Sequence, residues 1–103
     1  MKSSTRPTVV KIIGKTYGIA YAIGKPLDDG NLRELDHEKQ SITIRIGQPL
    51  EQEQDTILHE ILHGVDHELF LKMSEKQVRG MTTGLLAVLK DNPKVSSYLR
   101  RRK

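Results

Sequence analysis

The 103-residue chain has no cysteine, no tryptophan, one phenylalanine and three tyrosines. Without cysteine it forms no disulfide, offers no thiolate ligand and has no cysteine nucleophile. Any metal ion must therefore be held by His, Asp or Glu. No apolar run reaches the roughly 18 residues that a membrane-spanning helix needs. The opening MKSSTRPT carries no apolar signal region. These absences lead to the expectation of a cytoplasmic chain with no membrane partner. With so few aromatic residues, the core has to be built from Ile, Leu and Val.

Length points to one domain over residues 1–103. Hydrophobic residues are 36% and charged residues 29%, the balance of a globular protein rather than a disordered one. The net charge of +4 gathers at the ends, in Lys2 and Arg6 and in Arg100, Arg101, Arg102 and Lys103. Residues 1–7 and 94–103 read as peripheral segments. A basic tail also holds nucleic acid electrostatically, but no interleaved aromatics or recognition helix accompany this one.

Residues 8–23, TVVKIIGKTYGIAYAI, are rich in β-branched residues and interrupted by Gly14 and Gly18. They predict a strand pair or one long bent strand, with a glycine at the turn or bulge. GKPLDDGN is a loop by composition. LRELDHEKQSITIRIG predicts a hairpin bent at Asp36–Lys39, with Ile42, Ile44 and Ile46 on one buried face. A helix is expected from about Pro49 to Glu68, with Pro49 as its first residue and Glu51 and Glu53 in its opening turn. SEKQ opens a second helix through a capping box of Ser74 and Gln77. Val78, Met81, Leu85 and Leu89 fall at helical spacing along it. Gly80 and Gly84 would let it approach the first helix closely, and KDNP ends it. The fold class is α+β: a small antiparallel or mixed sheet, then two helices.

The first helix carries the chemistry. On a wheel with His59 at zero, Ile57, Leu58, Ile61, Leu62, Val65 and Leu69 span about 160° to 300°. Asp55, Thr56, His59, Glu60, His63, Asp66 and His67 occupy the other side, so these histidines are not packing residues. HEILH, residues 59–63, fits H-E-x-x-H. Positions four apart are one turn apart, about 6 Å along the axis, and two imidazoles so placed can converge on one tetrahedral ion. Glu60 would lie beside that ion without ligating it, where it can accept a proton from an activated water. The bland alternative is a surface histidine cluster.

The residues alone leave the third ligand open between Glu75, Asp66 and His67. His67 is about 12 Å from His59 on a straight helix, so it needs a break near Gly64. Asp66 suits orientation of a ligand better than ligation. Glu75 returns to the site if the chain reverses after the first helix, and otherwise is an acidic first-turn residue.

From Asp55 to Pro93, TILHEILHGVDHE followed by SEKQVRGMTTGLLAVLKDNP, the sequence resembles the small gluzincin-type metallopeptidase-like proteins often encoded by bacteriophages. These are distant relatives of repressor-cleaving metallopeptidase domains. LDHEKQSITIRIG resembles the edge hairpin of such domains. The resemblance covers about half the chain. It implies a minimal zincin-like fold, zinc held by His59, His63 and Glu75, and Glu60 as general base. It also implies a peptide or protein substrate and, for a phage-encoded chain, residence in the host cytoplasm. Eleven residues separate His63 from Glu75, fewer than in the large gluzincins. The metzincin signature does not fit, because Asp66 and Leu69 stand where it needs glycine and a third ligand. The expected activity is zinc-dependent peptide hydrolysis. The alternative is a catalytically weak or inactive metal-containing module that acts by contact with protein or nucleic acid. Tyr17, Tyr21, Tyr98 and His37 are the candidates for an oxyanion donor.

Overall fold

The computed structural model describes residues 6–23 and 33–102. The loop expected over residues 24–31 lies outside them, as do Lys2 and Lys103. The elements in chain order are β1 (Val9–Ile12), β2 (Lys15–Ala22), β3 (Arg33–Asp36), β4 (Ser41–Arg45), α1 (Leu50–Leu69), α2 (Glu75–Asp91) and α3 (Pro93–Arg100). This is the expected α+β arrangement of a small mixed sheet followed by helices, with one helix more than the sequence patterns indicate.

The sheet runs β1-β2-β4-β3. Of the two readings for residues 8–23, the strand pair is observed: β1 and β2 pair antiparallel from Val9↔Gly18 to Ile12↔Lys15. Their tight turn places Ile13 and Gly14 at positive φ, 47° and 85°. Such two-residue turns suit the right-handed twist of the strands, and isoleucine is an unfavourable occupant of the first position. The β3–β4 hairpin turns through residues 37–40. The two hairpins meet along a parallel seam, Gly18↔Ser41 to Ala22↔Arg45.

One sheet face supplies Ile12, Tyr17, Ile19, Ile42 and Ile44 to the core, and Ile57, Ile61 and Val65 of α1 pack against them. The chain enters α1 directly from β4, through Gly47 at φ 99°. Pro49 is the residue before the helix rather than its first residue; at ψ 150° it is still extended. The polar and apolar sides of α1 also differ from expectation. Its most buried residues are Glu53, Thr56, His59, Glu60 and Gly64, whereas Leu69 is exposed. The helix therefore presses the border between its two faces onto the sheet.

Side-chain contacts pin α1 at both ends. Arg6 Nε donates to Glu53 Oε2 at 2.8 Å, and Tyr21 Oη donates to the Pro7 carbonyl at 2.6 Å. Residues 6 and 7, expected to be peripheral, are thus tied to the body. At the other end, Lys15 Nζ lies 3.2 Å from Glu68 Oε2, and His37 stacks on His67. Both hairpin turns thus reach the last turns of α1. At Gly64 the helix comes so close that a Cβ would stand 2.7 Å from Ile12 Cδ1.

Helix α2 begins with the expected capping box, in which Gln77 N–H donates to Ser74 Oγ and Ser74 N–H donates to Gln77 Oε1. Among the described residues it packs against α1 and α3 but not the sheet. Val78 and Thr82 are its buried residues, while Met81 and Leu85, expected at the same interface, are exposed. Gly80 and Gly84 face away from α1: no atom lies within 4 Å of a Cβ placed on either. Mid-helix glycine is less stable than alanine by about 0.5–1 kcal/mol, so nothing inside the fold accounts for either one. Pro93 ends α2 as expected but also opens α3 as its first residue. That short helix has no buried residue and packs only against α2 among the described residues. Val95, Tyr98 and Leu99 fall at helical spacing along it, but at eight residues it is too short for that pattern to decide a helix from sequence.

Candidate metal centre

His59 and His63 stand one turn apart on α1, and their rings meet edge to face with centroids 4.7 Å apart. Their Nε2 atoms are separated by 3.1 Å. Glu75, the first residue of α2, reaches back to both. Its Oε1 lies 3.0 Å from His63 Nε2, and its Oε2 lies 3.0 Å from His59 Nε2. Among the described residues, these three form the one group of His, Cys, Asp and Glu side chains whose ligand atoms all lie within 4.8 Å of one another. Of the three candidates for a third ligand, the structure brings Glu75 to the histidine pair.

Proton counting shows what such a triangle needs. A neutral imidazole has one N–H, and a carboxylate has none. If both Nε2–H groups donate to Glu75, they face each other across the remaining 3.1 Å edge. If one donates to the other, a histidine–carboxylate edge holds two acceptors. No placement of protons on neutral rings satisfies all three edges, whereas a cation at the centre accepts a lone pair from every corner. The size also suits zinc. Bonds of about 2.0–2.1 Å in a tetrahedron set donors roughly 3.3 Å apart, close to the 3.0–3.1 Å here.

The centre has a closed side and an open side. His59 is 3% exposed. His63 is half-buried, and the Glu75 side chain is 45% exposed. Glu60 is buried and follows His59 on the same helix. Arg79, one turn along α2, sets Nη2 3.5 Å from Glu75 Oε2 and offsets part of its charge.

The turn that delivers Glu75 is held by the other two candidates' neighbourhood. Phe70 ends α1 in the left-handed conformation, φ 54°, and the Leu71 N–H donates to the Asp66 carbonyl at 3.1 Å. Asp66 Oδ1 accepts the Met73 N–H at 2.9 Å. Asp66 thus fastens the α1–α2 connection and does not orient a histidine ring. His67 is turned to the β3–β4 hairpin, where its ring stacks on His37 at 3.8 Å and 14°. Tyr17 is fully buried with its Oη 3.3 Å from His37 Nδ1. Burial, followed by the neighbouring His67, holds the His37 pKa below its ordinary value. This second histidine cluster is invisible in the sequence, because His37 and His67 are thirty residues apart and only the fold stacks them. Of the other oxyanion candidates, Tyr21 donates to the Pro7 carbonyl and Tyr98 is exposed on α3. No described helix is long and apolar enough to cross a membrane. Comparison of the chain with protein-family models, with curated proteins and with solved structures finds no match.

Proposed function

We propose that the chain is a zinc-dependent peptidase of the gluzincin type acting in the cytoplasm, with His59, His63 and Glu75 as ligands and Glu60 as general base. The observation that carries this reading is the convergence of two Nε2 atoms and a carboxylate within 3.0–3.1 Å of one another. Zinc held there lowers the pKa of water towards 7 and polarises a carbonyl. The protein residues do the rest. His59, which is buried, and His63 would hold the ion from α1, and Glu75 would hold it from α2. Glu60 takes a proton from the attacking water and passes it to the leaving nitrogen. The exposed side of the triangle is where a peptide carbonyl would enter.

Metal analysis of the purified protein tests the site: about one zinc per chain is expected, and none in His59→Ala. Metal absent from both would end the proposal. Glu60→Gln should retain the zinc and lose cleavage of a mixed peptide library by at least 100-fold. Retained cleavage would remove Glu60 from its role. Zinc bound without any cleavage in the parent chain would favour the inactive metal-containing module instead.

A further inference from the structure

The outer face of α2 is a largely apolar, exposed surface that no other described residue covers. Val78 and Thr82 turn inward to α1. About 110° around the helix, Gln77, Gly80, Met81, Gly84, Leu85 and Val88 share an arc of about 140° whose one charged residue is Asp91, at the end of the helix. Met81 is 47% and Val88 51% exposed. Leu71 and Met73, from the α1–α2 connection, join Gln77, Gly80 and Met81 around a cleft of about 470 Å³. Phe70, the residue before Leu71, is 82% exposed.

We infer that this face is the interface of a symmetric homodimer in which α2 packs antiparallel on α2 of a second copy. This is independent of the metal reading. Two mid-helix glycines that weaken the helix, and whose Cβ positions meet nothing in their own chain, are accounted for if another backbone must approach there. The patch is also self-complementary, as a two-fold interface must be: the same short stretch presents a protruding Phe70 and an adjoining cleft. Phe70 at 82%, Leu71 at 50%, Met81 at 47% and Val88 at 51% exposed put several large apolar side chains on or beside this face, the kind of surface that marks a protein–protein interface. Charge supports a second copy over an unrelated partner. Lys76 borders the arc, and Asp91 lies within it on the same side, between the angular positions of Gly80 and Gly84. An antiparallel pair crossing between Thr83 and Gly84 sets Lys76 of each copy beside Asp91 of the other.

Light scattering coupled to size exclusion, on the full chain from about 1 to 200 μM, tests the inference. The expected mass is twice the 11.7 kDa of the chain. Gly84→Leu, whose Cβ would meet no atom of its own chain within 4 Å, should weaken association at least tenfold while helical circular dichroism is kept. Lys76→Asp should weaken it, and adding Asp91→Lys should restore it. A monomer throughout the range would overturn the inference, as would a Gly84→Leu chain that still pairs. A mass that keeps growing with concentration would overturn the closed pair in favour of open-ended assembly.

Discussion

His37 shows how one side chain ties acidity to the stability of the chain. Burial lowers its pKa first, the His67 ring against it adds to that, Glu68 opposes, His63 adds again and Asp36 opposes. Unfolded, His37 takes up a proton near pH 6.5; folded, it does so only at lower pH. Between those points the unfolded chain holds more protons, so stability falls as the solution is acidified through this window. Metal-free protein unfolded by urea at a series of pH values should lose stability below about pH 6.5, with a shallower decline for His37→Gln. Identical slopes would remove His37 as the source. Legibility at this scale divides by distance along the chain. His59, Glu60 and His63 were readable because a helix repeats every 3.6 residues and four-residue spacing is local. The burial of Glu53, Thr56 and His59 was not, since it depends on how α1 is rolled onto the sheet.

Among the elements, the α1–α2 connection matters most, because it decides whether Glu75 meets the histidines. Its conformation is held by Asp66 through the Leu71 and Met73 amides and by the Ser74–Gln77 capping box. Asp66→Ala deletes an ionic acceptor of a half-buried amide, which should cost about 1–2 kcal/mol in denaturant unfolding. It should also weaken zinc about tenfold in a chelator competition, since the ligand would be delivered by a looser turn. Unchanged zinc affinity would mean that Glu75 is placed by packing alone. The capping box was legible in SEKQ because it is written in four adjacent residues. The outward roll of Gly80 and Gly84 was not, because helical spacing gives a stripe without saying which stripe meets α1. The helix over PKVSSYLR escaped notice because it buries nothing.

For the molecule as a whole, the core is small and lopsided. Of the six buried hydrophobic residues among those described, Ile12, Tyr17, Ile19, Ile42 and Ile44 belong to the sheet and Val78 to α2. Among the described residues helix α2 touches α1 and α3 but not the sheet, so a metal bridging His59, His63 and Glu75 would add a fastening that packing supplies sparsely. Zinc at a hundredfold excess over its dissociation constant should stabilise the fold by about 2.7 kcal/mol. For a domain of this size that raises the melting temperature by roughly 10–20 °C. Scanning calorimetry before and after chelation checks this, and coincident curves would show that the ion leaves the fold untouched. The order of strands and helices was legible at this scale from alternation and turn residues. The β2–β4 pairing was not, for nothing local in either strand specifies its neighbour.

That parallel seam has a kinetic consequence. Each hairpin closes over a few residues, whereas Gly18 and Ser41, like every pair along the seam, are 23 residues apart. Closing the longer loop consumes more chain entropy before any contact repays it. Two quickly formed ribbons waiting to dock, with Ile19 meeting Ile42 at the join, is therefore the folding route that this sheet order favours.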